Sequence, residues 1–372
     1  MRKDIISVMK KINKDLGEGA VVLGCDMPNF DFRISTGSVS LDMDLGGGIP
    51  VGRLVTIAGE YSSCKSFLAY NIIANCQKLR KKTILYKDKE VEVLTDSEEG
   101  TPLVAALIQL ESKSYTSDWG DLIGIDNENL IFASPSGMEE AVNIATALQK
   151  AGVELIVIDS YAAMVSTKEM ETDSGDSFQM GLVPKELGSY HRKFQAHNNK
   201  ADREGRLPTT VIAINQLREK IGGYGDTSYT PGGKSTGYTN TVEIRVRPGD
   251  KINVGTASSP IFVGKTIKYK ITKNKLGVPF RNGEFDFYND DGGIVPKGRI
   301  DNAKELINLA LSNGIIEQRG AWFYYNNEQI GQGRANTTEL IRNDKDLFNV
   351  IKCAIIKGEV TESAEDNGEV DI

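Results

Sequence analysis

Histidine is nearly absent, with two in 372 residues, and the four cysteines, at 25, 64, 76 and 353, form no C-x-x-C pair. A His-rich or zinc-ribbon metal site is excluded, and a disulfide framework is not expected. The thiol pattern fits a reducing, cytoplasmic setting. No apolar run approaches membrane-spanning length, and the opening Met1-Arg-Lys-Asp lacks the apolar core of a secretion signal, so no membrane partner is expected. Net positive charge is lacking too. At −7 the chain is not basic all over, although nucleic-acid binding depends on local rather than summed charge. Part of the deficit is terminal: Glu359, Glu362, Glu365, Asp366, Glu369 and Asp371 crowd residues 359–372 with no base among them, which reads as a disordered acidic tail. At 372 residues, with 40% hydrophobic and 26% charged content, the chain suffices for one large domain and a small one.

The most informative stretch runs from Leu54 to Asn71. Leu54-Val-Thr-Ile-Ala reads as a buried strand, and the apolar spacing of Phe67, Leu68, Ile72 and Ile73 as a helix packed on it. Between them lies Gly59-Glu60-Tyr61-Ser62-Ser63-Cys64-Lys65-Ser66, a phosphate-binding loop. Backbone N–H groups in such a loop curl around an anion at a helix N-terminus, where the helix dipole also points. Lys65 then reaches the β- and γ-phosphates of ATP, and the Ser66 hydroxyl holds Mg2+. One position departs from the usual G-x-x-x-x-G-K-[ST]: Cys64 stands where the second glycine belongs.

Leu155-Ile-Val-Ile-Asp159-Ser160 is an apolar strand ending in an acid, which assigns Asp159 to the Mg2+ beside the phosphates. Thr210-Val-Ile-Ala-Ile-Asn215-Gln216 delivers two amides at a strand end and runs directly into the glycine-rich stretch Gly222–Gly237. Thr83–Tyr86 and Val91–Thr95 read as strands. So do Asn129–Ala133 and the apolar run Gly19–Gly24, which needs an edge to pair with, in a second copy or in its own sheet. Helices are expected over residues 4–16, 138–150 and from Leu182. Glu111–Asp121 reads as a polar insertion without assigned function.

Ile34-Ser-Thr-Gly-Ser-Val-Ser-Leu-Asp42, the glycines 46–48 and Gly52-Arg53, leading into the phosphate loop, resemble the RecA recombinase family. The resemblance extends to Lys273-Asn274-Lys275, to Gly320-Ala-Trp322-Phe-Tyr-Tyr and to Ile330-Gly-Gln-Gly-Arg334-Ala-Asn. It implies a RecA-type core with a central, mostly parallel twisted sheet (34–292), an N-terminal arm for subunit packing (1–33) and a C-terminal domain (293–358). Glu98, in Asp96-Ser97-Glu98, is expected to activate the attacking water, with Glu90 as the alternative. The Asp-Ser-Glu form and Cys64 resemble phage-encoded members.

By the same resemblance Gln216 contacts the γ-phosphate, and Lys273 and Lys275 reach the neighbouring subunit's ATP. Residues 168–181, with Met180 and Gly181, and residues 217–237, with Arg218, Gly232 and Gly233, correspond to two DNA-binding loops. His191-Arg192-Lys193 corresponds to a basic helix, with Arg192 on DNA. Sparse aromatics in these loops point to phosphate contacts more than base stacking. Lys297 and Arg334 are candidates for gathering duplex DNA, and Trp322 for the core.

The implied activity is ATP-dependent filament formation on single-stranded DNA, followed by pairing with homologous double-stranded DNA and strand exchange. Two other readings remain open, a helicase-like motor on the same fold and a DNA-binding regulator with an impaired nucleotide site.

Overall fold

The computed structural model describes residues 2–26, 31–87, 89–95, 97–111, 114–166, 182–219, 228–229 and 233–358, with the backbone alone at 218–219, 228–229 and 233–235. The chain forms two compact units whose division does not fall at a single point. One comprises residues 1–37, 45–248 and 267–282, the other 38–44, 249–266 and 283–372.

The first unit opens with α1 (Lys3–Leu16), closed by Gly17 at φ 96°, and none of its residues is buried. Among the described residues, the apolar run Gly19–Gly24 pairs with no strand of its own chain. The Asn13 side chain takes both backbone groups of Val21, Nδ2 donating to the carbonyl at 2.9 Å and Oδ1 accepting from the amide at 2.8 Å, and the segment enters a short 3-10 turn, Gly24–Asp26. A two-residue antiparallel pair, β1 (Arg33–Ile34) with β2 (Ile49–Pro50), then leads into β3 (Leu54–Gly59), buried at every position. An unbroken apolar strand is what a parallel sheet covered on both faces requires. The helix Lys65–Lys78 follows, buried from Phe67 through Ala74 and again at Cys76.

Before the chain returns to the main sheet it makes a separate three-stranded antiparallel sheet from β4 (Arg80–Tyr86), β5 (Lys89–Thr95) and β6 (Thr101–Pro102), with β4 in the middle. The strands expected at 83–86 and 91–95 are therefore present, but outside the main sheet. Only then come β7 (Ala105–Gln109), a short helix Ser117–Ile123, β8 (Leu130–Ala133), the helix Met138–Ala151 and β9 (Leu155–Asp159). The helix Leu182–Glu204 buries Leu187, Tyr190, His191, Phe194, Asn198 and Ala201, a spacing that fixes one face on the core. Leu187, Tyr190 and Phe194 pack with Met138, Ala141, Ala145 and Ile156.

β10 (Thr210–Gln216) returns to the sheet centre, and β11 (Arg218–Glu219) pairs with β12 (Ser228–Tyr229). β13 (Val242–Thr256) and β14 (Ser259–Asn274) run on through the unit boundary. Within the first unit the order is β14-β13-β3-β10-β9-β7-β8. The ladders from β13 to β8 are all parallel, so these strands end along one edge of the sheet, where ligands bind in open α/β folds.

Two expectations change here. The glycine-rich stretch ends as a helix, Gly233–Thr239, rather than continuing as a loop to 237. His191 is 1% exposed, and burial pushes its imidazole down to about 4, so it adds no positive charge to its helix.

In the second unit, Ala303, Leu306, Ile307 and Ala310 of the helix Asn302–Ser312 pack with Ile316, Phe323, Ile341 and Ile351. Phe323 is the core aromatic at 1% exposure, and Trp322, expected there, is half-buried. Alternation decides this, because neighbouring residues on a strand face opposite ways. No helix among the described residues is long and apolar enough to cross a membrane.

Candidate active site

Gly59 ends β3 where a β-carbon would lie 2.4 Å from Ser63 Oγ and 2.5 Å from the Val246 carbonyl, so only glycine fits. The loop beyond it turns through Ser62 at φ 57° and Cys64 at φ 62°, both left-handed. Cys64 is the residue at the helix N-terminus, and its carbonyl accepts from Leu68 N at 3.0 Å. The cysteine thus adopts the conformation the usual glycine would take. Ser63 Oγ and Lys65 Nζ both donate to the Glu60 carbonyl, at 2.8 and 2.7 Å, while Glu60 Oε1 lies 3.5 Å from Arg247 Nε. Tyr61 is 93% exposed.

Ser66 Oγ donates to Asp159 Oδ2 at 2.7 Å. Burial pushes the Asp159 carboxyl up to about 6, helped by Glu111 and opposed by Ser66 and Lys65. Burial also lowers the Lys65 ammonium, against the pull of Glu111 and Asp159. A serine hydroxyl and a carboxylate are hard oxygen donors of the kind Mg2+ takes, and a cation would relieve the buried negative charge. The residues therefore fit the ion. No cluster of three or more His, Cys, Asp or Glu with metal-site geometry occurs among the described residues. A nucleotide-bound Mg2+ needs none, because phosphates and waters complete its shell.

The carboxylate joined to this group is Glu111, not Glu98. Glu111 lies just beyond β7, and its Oε1 accepts from Gln216 Nε2 at 3.0 Å and from Ser160 Oγ at 2.6 Å. Glu98 lies exposed in the turn between β5 and β6, and Glu90 on β5, so both belong to the separate three-stranded sheet. The reason is topological: β7, and neither β4 nor β5, pairs with β9, and β7 delivers Gln109 beside Asp159. Part of the polar stretch Glu111–Asp121 enters the helix Ser117–Ile123 between β7 and β8, and the crossover from β3 to β7 carries the β4–β6 sheet. The signal for Glu111 was present in Ala105-Ala-Leu-Ile-Gln-Leu-Glu111, an apolar strand ending in an acid as β9 does. Ser160 carried no separate signal.

Gln216 ends β10 in parallel register with Gly59, and the next residue, Leu217, donates its N–H to the Gly59 carbonyl at 3.1 Å. Phosphate loop and amide thus share one strand-end junction. Lys273 Nζ donates to the Gly237 carbonyl, and Lys275 Nζ to the Tyr238 carbonyl at 2.8 Å, so within one chain both ammoniums rest on the C-terminal end of the helix Gly233–Thr239. Arg192 is exposed on its helix, Arg218 begins β11 and Gly233 begins its helix. Met180, Gly181 and Gly232, with most of both expected DNA loops and the acidic tail, lie outside the described residues.

The family model for the RecA N-terminal domain matches residues 3–294, and that for the RecA C-terminal domain matches residues 304–358. The chain is similar to Protein RecA of Thermus aquaticus, at 34% identity over 99% of this chain and 98% of the relative. It is similar to Protein RecA of Chloroherpeton thalassium at 35% identity, over 94% of this chain and 87% of the relative. Protein RecA of Lactococcus lactis subsp. cremoris is 33% identical, over 94% of this chain and 82% of the relative. These names say nothing of a phage origin.

Proposed function

The chain belongs to the RecA family, whose members are ATP-dependent recombinases and DNA-dependent ATPases, and from that premise we propose how its residues divide the work. One observation carries the reading: Lys65, Ser66, Glu111, Asp159 and Gln216 come together at the ends of neighbouring parallel strands.

ATP seats its phosphates on the loop Gly59–Ser66, with Lys65 turning from the Glu60 carbonyl to the β- and γ-phosphates. Ser66 and Asp159 would hold Mg2+, which would supply charge neutralisation on the transferring phosphoryl group. Glu111 is the general base. Its carboxylate takes a proton from water as the water oxygen bonds to the γ-phosphorus, and the bond to the bridging oxygen breaks with its electron pair leaving on ADP.

Gln216 exchanges its bond to Glu111 for one to the γ-phosphate, and the backbone beyond it carries that change into β11 and the loop behind it. Lys273 and Lys275 leave the Gly237 and Tyr238 carbonyls for the ATP of the adjoining subunit, which makes nucleotide part of the filament interface. Arg192, Arg218 and the backbone of both loops hold single-stranded DNA through its phosphates, and base pairing with double-stranded DNA supplies the homology test.

The test is ATP hydrolysis with and without single-stranded DNA, together with strand exchange between homologous molecules, for the wild type, Lys65→Ala and Glu111→Gln. Strong DNA stimulation and joint molecules in the wild type, with turnover lost in both variants, support the reading. Unwinding of duplex without a homologous partner favours the motor. Nucleotide binding without turnover in the wild type favours the regulator.

A further inference from the structure

Ser160 stands one residue beyond the end of β9 and is fully buried. Its hydroxyl donates to Glu111 Oε1 at 2.6 Å, across 49 residues of sequence. The backbone on both sides is braced: the Asp159 carbonyl accepts from Leu110 N at 2.7 Å and from Glu111 N at 3.3 Å. Gln216 bonds to the same carboxylate oxygen, but from an exposed side chain. Among the described residues Oε2 accepts no hydrogen bond.

The geometry points to Ser160 as the positioning residue for Glu111. It fixes Oε1 from a buried, backbone-anchored site and leaves Oε2 turned to the attacking water. The need arises from the Gln216 exchange. Once that amide moves to the γ-phosphate, the carboxylate loses one of its two side-chain restraints at the moment its direction matters. Ser160 is the donor that stays. A loosely held base a fraction of an ångström out of line loses rate while ground-state nucleotide binding persists. The inference rests on Glu111 being the base.

The experiment measures single-stranded-DNA-stimulated ATP hydrolysis for Ser160→Ala, Ser160→Cys, Glu111→Gln and the double variant Ser160→Ala/Glu111→Gln, with thermal melting and fluorescent-ATP binding on each. A bond from a hydroxyl to a carboxylate is among the stronger side-chain hydrogen bonds, so Ser160→Ala should lower kcat about tenfold with KM for ATP within about twofold of wild type. Ser160→Cys, close in size and a weak donor, should fall between, and it carries the test if the alanine variant melts early. In the Glu111→Gln background the second substitution should add no further loss, because Ser160 acts through the carboxylate.

Wild-type kcat in Ser160→Ala, a rise in KM without a fall in kcat, or a full additional loss in the double variant would each overturn the positioning role. Wild-type turnover in Glu111→Gln would overturn the base assignment and this inference with it. Lost turnover in Glu111→Gln alongside full turnover in Ser160→Ala would remove the inference alone.

Discussion

Gln216 Nε2 donates to Glu111 Oε1 at 3.0 Å, so the amide ending one central strand and the carboxylate following another hold each other across β9. On the proposed reading, in which Gln216 senses the γ-phosphate and Glu111 is the base, the two are coupled before nucleotide arrives. Gln216→Ala should keep nucleotide binding within about threefold and lose most of the DNA stimulation of ATP turnover, leaving basal hydrolysis within an order of magnitude of wild type. Steady-state hydrolysis across a DNA titration, with fluorescent-ATP binding alongside, checks this. Full stimulation in the variant would separate Gln216 from the coupling.

The placement of Glu98 and Glu111 gives a direct contrast. Glu111→Gln should lower kcat by about 100-fold or more, the usual scale for removing a general base. Glu98→Gln and Glu90→Gln, on the separate sheet, should stay within about twofold. Parallel steady-state assays of the three variants distinguish the two arrangements, and a large loss in Glu98→Gln would reverse the assignment.

Cys64 at φ 62° holds a conformation that costs a side-chain-bearing residue about 1–2 kcal/mol and glycine little. Cys64→Gly removes that strain but gains unfolded-state entropy, a partly opposing effect of about 0.4–1 kcal/mol. The variant should be more stable by about 0.5 kcal/mol and bind nucleotide as tightly as the wild type. Cys64→Val, with a branch at Cβ, should be clearly less stable. Urea unfolding of the three proteins ranks them, and a valine variant as stable as wild type would mean the loop relaxes out of the left-handed region.

Glu305 tests linkage in the second unit. Its Oε2 accepts from Ser38 Oγ and Ser40 N, both at 2.7 Å, while Oε1 is buried without a partner among the described residues. Burial raises the carboxyl from its ordinary 4.5 to about 7, opposed by the Ser38 and Ser40 bonds, with Asp42 adding to the rise. Between those two pH values the unfolded chain has released the proton and the folded chain still holds it. Stability therefore falls as pH rises through that window and levels off above it. Glu305→Gln removes this dependence, so it should gain on the wild type by on the order of 2–3 kcal/mol between pH 5 and pH 8. Chemical unfolding at both pH values checks the sign; a constant difference would mean the carboxyl is already ionised in the fold at pH 5.

The β4–β6 sheet is tied down by Lys81, whose Nζ lies 2.8 Å from Glu154 Oε1 and 3.0 Å from Glu92 Oε1. Glu154 is 4% exposed, and its other oxygen accepts from Val104 N at 2.8 Å. Lys81→Met strands a buried carboxylate beside a second one and should destabilise the protein by about 2–4 kcal/mol. Adding Glu154→Gln should recover part of that loss, as urea unfolding of the single and double variants would register.

The sequence by itself determined the parts whose chemistry is contiguous. Gly59, Lys65 and Ser66 sit within one strand–loop–helix unit, so their spacing alone defines a phosphate cradle, and Asp159 and Gln216 are legible because each closes an unbroken apolar strand. It also carried the helices at 138–151 and from Leu182. Tertiary structure alone decided which carboxylate joins Gln216 and Ser160 beside Asp159. β5 and β7 are both strand-like and both lead to a glutamate, and local pattern cannot say which strand joins the central sheet; pairing with β9 does. It decided likewise that His191 lies buried and neutral, and that Phe323 rather than Trp322 fills the small core. Each of these depends on a partner distant in sequence or on which face of an element turns inward, and neither is encoded in the identity of the residue itself.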